Sequence, residues 1–208
     1  MPPYVVLRDF LDDGLIAGLL DLAVTHEADF VSTQIVGDGV DFSVRKSLAL
    51  RNLKDFGPTL RAKFGELAAE LVARLRATPI AAPHVVVELV AHNDGAFFKR
   101  HVDTMTEKLR TATAAAYDRK HLIAFSGVCY FHAQPKAFSG GALRLYAIGD
   151  PQNATYVDIE PAHNSLVFFP SWAPHEVMPV SCPSGRFIDS RFAINCWVYR
   201  PRQEAPRA

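Results

Sequence analysis

Val85-Val86-Val87-Glu88-Leu89-Val90-Ala91-His92, the turn Asn93-Asp94-Gly95, and Phe97-Phe98-Lys99-Arg100-His101-Val102-Asp103 form the stretch on which the reading of this chain depends. Both runs are rich in β-branched and aromatic side chains, which fit a pleated surface, and the glycine between them marks a turn. Residues two apart on a strand project to one face, with Cα atoms about 6.6 Å apart. His101 and Asp103 can therefore address a single metal ion from one strand. A third ligand is available far downstream, at His175 in Phe168-Phe169-Pro170-Ser171-Trp172-Ala173-Pro174-His175-Glu176-Val177. Two histidines and one carboxylate on one side of an ion leave the other side open, the donor set of non-haem Fe(II) oxygen chemistry.

The same texture continues to the end of the chain. Strands are expected over Val85–His92, Phe97–Val102, Leu122–Phe131, Ala142–Ile148, Ala154–Glu160, Ser165–Phe169, Glu176–Val180 and Arg191–Tyr199. Gly140-Gly141, Gly149-Asp150-Pro151, His163-Asn164 and Pro183-Ser184-Gly185 punctuate them. Short strands at this spacing indicate a double-sheet jelly roll or a barrel, with helices packed outside. Before Pro83 the texture is helical. Leu15, Ile16, Leu19, Leu20, Leu22 and Ala23 form one apolar face, capped by Asp12 or Asp13. Leu60, Phe64, Leu67, Ala68, Leu71, Val72 and Leu75 form another on a helix over Pro58–Arg76, with Pro58 in its first turn. Val31–Asp41 reads as a loop or weak hairpin. Thr104–Lys120, which carries Lys108, Arg110, Arg119 and Lys120 with a helical turn at Ala112–Tyr117, reads as a lid over the ligand pair. The expectation is one α+β, mainly β domain spanning 1–208. It has a helical N-terminal part (1–82) packed on one sheet of a jelly-roll core (83–200).

Composition narrows the function. The chain has 208 residues, long enough for a substantial core, with 22 basic and 22 acidic side chains and a formal net charge of zero. That balance argues against a nucleic-acid or membrane-surface binder, which would carry a basic excess. No signal peptide and no bilayer-spanning apolar run is evident. Cys129, Cys182 and Cys196 lack metal-binding spacing, and their odd number does not suit a disulfide framework. Cytoplasmic localisation is expected, with a small-molecule or protein substrate as the partner; oligomeric state stays open.

Taken in order, His101-x-Asp103, Tyr130-Phe131-His132, Gly140-Gly141-Ala142-Leu143-Arg144-Leu145-Tyr146, His175-x-Val177-x-Pro179-Val180 and Arg191-(x5)-Trp197 resemble the prolyl-4-hydroxylase-like Fe(II)/2-oxoglutarate-dependent dioxygenases. The resemblance covers about residues 85–199 and extends weakly to Val5-Val6-Leu7-Arg8-Asp9-Phe10-Leu11, which is similar to the family's opening strand. It implies a double-stranded β-helix core with His101, Asp103 and His175 as catalytic metal ligands. It also implies Fe(II), 2-oxoglutarate and O2 as cofactors, with ascorbate as an optional reductant. The reaction implied is hydroxylation of a C–H bond of an amino-acid-type substrate, a prolyl residue in a protein or a free amino acid or small metabolite, with release of succinate and CO2. The family anchors the far carboxylate of 2-oxoglutarate on a cation about ten residues after the second histidine, which favours Arg186, and six residues before a tryptophan, which only Arg191 with Trp197 satisfies; Arg191 is chosen on the second criterion. Arg186 then becomes a turn residue pairing with Asp189. Tyr130 matches a hydroxyl that bonds the same carboxylate, and Leu143, Val177 and Trp197 match apolar pocket positions. His92 stands where the family commonly has a tyrosine, and is assigned either to co-substrate or substrate binding or to a structural replacement. Arg45-Lys46-Ser47 resembles a segment that approaches substrate in this group. The remaining histidines are read as core or surface residues. Two alternatives stay open: a cupin-like metal-binding jelly roll with other chemistry, and a non-catalytic binding module.

Overall fold

A computed structural model describes residues 1–33, 41–104, 121–149 and 155–201, and among these every strand pairing is antiparallel. The chain runs β1 (Val5–Arg8), α1 (Asp13–Thr25), β2 (Val31–Ser32), β3 (Arg45–Lys46), β4 (Leu48–Leu50), α2 (Phe56–Arg74), β5 (His84–His92) and β6 (Phe97–His101). It continues β7 (His121–Phe131), β8 (Ser139–Gly140), β9 (Leu143–Tyr146), β10 (Tyr156–Ile159), β11 (Ser165–Pro170), β12 (His175–Val177), β13 (Val180–Ser181) and β14 (Arg191–Pro201). The larger sheet has the order β1-β11-β7-β14-β5-β4-β2, the smaller β10-β9-β12-β6-β3, and β13 and β8 make a short ribbon. This is the expected jelly-roll architecture, mainly β with two helices.

Period-two alternation decides what each face of the larger sheet does. On β14, Phe192, Ile194, Cys196 and Val198 point to the helices, where they join Leu19, Leu60, Phe64, Leu71, Leu89, Phe131 and Phe168 in one core. Ala193, one step out of phase, joins Tyr130, Leu143, Leu145, Val167 and Phe169 in a second core between the sheets. Burying an aromatic or aliphatic side chain of this size contributes about 1.5–3 kcal/mol, so the helices hold the larger sheet rigid beneath the inner face that carries the site.

The helices form for the expected reasons. Asp12 caps α1, its Oδ1 accepting the Leu15 N–H at 2.8 Å. α2 starts at Phe56, two residues before the expected boundary, which leaves Pro58 in the first turn. The N-terminal part also supplies sheet. β1 covers the β11 edge, β4 and β2 extend the other end of the larger sheet, and β3 closes one end of the smaller. Just past β1, Asn164 clasps Leu11, accepting its N–H at 2.8 Å and donating to its carbonyl at 2.7 Å. The strand expected over Glu176–Val180 is divided between β12 and β13. Pro179, which has no N–H for a ladder, lies in the break.

Residues 34–40 and the expected lid, Thr104–Lys120 beyond its first residue, lie outside the described residues. Among the described residues no helix is long and apolar enough to cross a membrane.

Candidate functional site

Strand register places two of the three expected ligands side by side. His101 ends β6, His175 begins β12, and the two are direct cross-strand partners with ring centroids 4.1 Å apart. Asp103 does not continue the strand as expected. It lies in a bend after β6, where its N–H donates to the Ser171 carbonyl at 3.0 Å, and that bond turns the carboxylate toward the imidazoles. Its two oxygens lie 3.7 Å from His101 Nε2 and 3.8 Å from His175 Nε2. One ligand atom from each of the three residues lies within 4.8 Å of the others.

The surroundings prepare these groups to bind a cation. His101 Nδ1 faces the Lys99 carbonyl at 2.7 Å and His175 Nδ1 the Ala173 carbonyl at 2.9 Å. A carbonyl only accepts, so each ring carries its proton on Nδ1 and turns the Nε2 lone pair inward. Burial, reinforced by His175, pushes His101 down to about 3, which keeps it neutral and able to ligate. Burial opposes the Asp103 carboxylate, yet His175, His101 and hydrogen bonds from Ser126 and Trp197 outweigh it and hold its pKa below the usual value. The Ser126 hydroxyl donates to Asp103 Oδ2 at 2.6 Å and the Trp197 indole N–H to the same oxygen at 3.1 Å. Ser171 backs Ser126 at 2.9 Å. Trp197, expected as an apolar wall, thus also has a polar contact.

A second cluster sits on the inner face of β14 and its neighbours. Arg191 opens β14 with 1 % of its surface exposed, paired across the ladder with His92. Its Nε–H donates to the Gly141 carbonyl at 2.8 Å, its Nη1 reaches His92 Nδ1 at 3.3 Å, and its guanidinium lies 4.7 Å from the centroid of the Tyr130 ring. Gly141 adopts a left-handed φ of +71°, and a Cβ there would stand 2.6 Å from Arg191 Cδ, so only glycine lets the arginine pass. Arginine has no acceptor, so His92 Nδ1 accepts and the ring carries its proton on Nε2. Burial, then the Arg191 and Arg45 charges, push the His92 pKa well down.

Arg191 and Tyr130 interact with each other, yet among the described residues Arg191 Nη2, Tyr130 Oη and His92 Nε2 are buried without a hydrogen-bond partner of good geometry. No carboxylate lies within 4 Å of Arg191 among the described residues. A buried cation beside two unpartnered hydrogen-bonding groups, with no anion of its own, fits a small carboxylate ligand.

One cavity joins both clusters, lined by His101, Asp103 and His175 and by Arg191 and His92, with Leu143, Val177 and Trp197 in its walls. Tyr130 lies behind this lining, against Arg191. Arg186 is elsewhere, its side chain 70 % exposed and bonded to both carboxylate oxygens of Asp189 at 2.8 and 3.1 Å. Phe98, Ser126, Val128 and Asn195 also line the cavity and were not singled out from sequence. Alternation offered the signal: 126 and 128 share the face of Tyr130 on β7, and 195 shares that of Arg191 and Trp197 on β14.

Comparison with known proteins agrees with this geometry. The model of the 2OG-Fe(II) oxygenase superfamily matches residues 87–199. An uncharacterized PKHD-type hydroxylase of Synechocystis is 29% identical over 200 residues, covering 94% of this chain and 62% of that protein, so this chain spans about three fifths of its relative's length. A Pseudomonas putida prolyl-4-hydroxylase superposes with a TM-score of 0.68 at 20% identity, over 96% of this chain and 94% of that one. A Trichoplax adhaerens prolyl hydroxylase, solved with a hypoxia inducible factor peptide fragment, gives 0.65 at 18%, over 94% and 83%. A collagen prolyl hydroxylase of Paramecium Bursaria Chlorella virus-1, solved with 2-oxoglutarate, gives 0.60 at 13%, over 95% and 96%. At these identities the three solved structures establish the fold.

Proposed function

Because this chain belongs to the 2OG-Fe(II) oxygenase superfamily, whose members use Fe(II), 2-oxoglutarate and O2, we propose that it hydroxylates a C–H bond of an amino-acid-type substrate. Together the bound iron, 2-oxoglutarate and O2 supply the oxidation, one oxygen atom entering the substrate and the other succinate as CO2 leaves. The protein's residues supply placement. His101, Asp103 and His175 would hold the ion. Ser126 and Trp197 keep Asp103 ionised and fix its direction. Arg191 would hold the far carboxylate of 2-oxoglutarate through its charge and its unpartnered Nη2, with Tyr130 and His92 as flanking donors. Leu143 and Val177 exclude water from the walls.

The observation that carries this reading is the set of unpartnered buried donors at Arg191, Tyr130 and His92 in or against the cavity that also holds the His-Asp-His cluster. A cupin-like site with other chemistry has no need of a buried guanidinium there. The relatives named for hydroxylase and prolyl hydroxylase activity support a substrate of amino-acid type, either a prolyl residue in a protein or a free amino acid. The three cysteines are free and buried, which supports a reducing compartment such as the cytoplasm.

The test is succinate release from 2-oxoglutarate in air with added ferrous iron. The wild-type protein is expected to turn over and Asp103→Ala to lose both turnover and ferrous-ion binding. Folded, iron-loaded wild-type protein that consumes no 2-oxoglutarate across a broad substrate panel would overturn the proposal.

A further inference from the structure

Outside the cavity, a chain of three side chains ties the end of α1 to the turn that starts α2. Lys54 Nζ donates to His26 Nε2 at 2.7 Å, and His26 Nδ1 donates to Asp29 Oδ2 at 2.7 Å. An ammonium offers no acceptor and a carboxylate no donor, so its two neighbours fix the imidazole with one proton, on Nδ1. Nucleophile, base and orienting carboxylate thus stand in line within hydrogen-bond reach of one another. No carboxylate lies within 4 Å of Lys54 Nζ among the described residues. Its charge is met instead by a ring that can accept its proton.

The main chain fixes both ends of this line. His26 caps α1, its N–H donating to the Leu22 carbonyl at 3.0 Å, and the Asp29 N–H donates back to the His26 carbonyl at 2.9 Å. The last turn of α1 carries no basic side chain, and a helix C-terminus favours positive charge. A proton arriving on His26 is therefore accommodated by the helix end as well as by Asp29. Lys54 precedes α2 with a left-handed φ of +48°, a conformation few non-glycine residues adopt. Its N–H donates to Asn52 Oδ1 at 3.1 Å, its carbonyl accepts the Gly57 N–H at 3.2 Å, and Leu53 beside it is buried. The amine itself is exposed, within reach of a dissolved reagent. Lys46 makes the contrast. It is exposed too, but its Nζ donates to the Asp94 carbonyl at 2.9 Å, and an amide oxygen does not take the proton.

We propose that Lys54 is a modification site that accepts acyl groups from thioesters, with His26 as its general base and Asp29 orienting His26. The Lys54 amine, having passed a proton to His26, attacks the thioester carbonyl. The C–N bond forms, the C–S bond breaks and the electron pair leaves on the thiolate. One proton returns through His26 to the thiolate, and the second proton lost by the ammonium goes to water. The product amide is neutral, so acylation removes the cation that links the two helices at this point.

The experiment incubates the full chain with trideuterated acetyl-coenzyme A and follows each lysine by peptide mass spectrometry. Lys54 is expected to react about tenfold faster than Lys46, a modest part of what a positioned base supplies. His26→Gly is expected to bring Lys54 down to the Lys46 rate, with Lys46 unchanged, and added imidazole to restore Lys54 alone. Equal rates at the two lysines in the wild-type protein overturn the proposal, and so does a loss that imidazole does not restore. Thermal melts show whether each variant is folded. Should His26→Gly fail to fold, Asp29→Asn decides: it is expected to slow Lys54 severalfold and leave Lys46 unchanged, and an unchanged Lys54 rate overturns the relay.

Discussion

Replacing Arg191 with glutamine tests the co-substrate pocket at its most demanding point. The substitution removes a cation that is 1 % exposed and has a terminal nitrogen without a partner. A hydrogen bond to a charged group contributes about 1.5–3 kcal/mol net, and truncating one side of a buried charged pair costs about 2–5 kcal/mol. Taking about 3 kcal/mol, with each 1.4 kcal/mol worth a factor of ten, the Kd for 2-oxoglutarate should rise about 150-fold. Calorimetric titration of the zinc-loaded protein without oxygen measures this separately from turnover. Arg191→Lys should recover only part of the loss, because it keeps the charge but not the fork. A thermal melt of each variant separates binding from folding, since the Gly141 carbonyl also loses its partner. Arg186→Gln is the matched control, its side chain 70 % exposed and already paired with Asp189, and it should change the Kd less than about twofold. A loss under about tenfold in Arg191→Gln, or an equal loss in Arg186→Gln, would refute the assignment of the anchor.

Two further outcomes follow from the groups around the ligands. Ser126→Ala deletes a 2.6 Å donor to Asp103, so cobalt(II) binding should weaken about tenfold with an altered visible spectrum, and an unchanged spectrum and affinity would rule out the positioning role. In the metal-free protein, His92 and His101 are both depressed, His101 to about 3, so the unfolded chain takes up protons near pH 6.5 that the folded chain refuses. Their contribution is therefore complete above that pH and is lost as pH falls, by up to about 1.4 kcal/mol per unit for each histidine. Urea denaturation at about pH 7 and about pH 5.5 should differ by about 2–3 kcal/mol, and a flat profile would contradict the burial of these rings.

Long strands with strong alternation were legible in the sequence because period two is visible wherever one face is buried. β5, β7 and β14 lie within a residue or two of their expected bounds. β2, β3 and β4 were not legible, since two or three residues carry no period and their pairing depends on distant partners. At the site, His101, Asp103 and His175 could be chosen by donor type and spacing. The bend that carries Asp103 out of β6 could not, because it depends on a backbone bond to Ser171, far along the chain. Arg191 was separable from Arg186 only through Trp197. Ser126, Phe98 and Asn195 are unremarkable residue types, and what gives them a role is the sheet face on which they land.

β1 bears on how the protein tolerates shortening. It is four residues long, carries none of the assigned ligands, and lies along the outer rim of β11, secured just beyond its end by Asn164. A chain begun after Leu11 would retain each group named for chemistry yet lay bare the hydrogen-bonding edge of a six-residue strand whose side chains are all buried. Such a bare ladder recruits strands from other molecules. The damage would surface as turbidity and lost yield, while the fraction still dispersed kept its metal affinity.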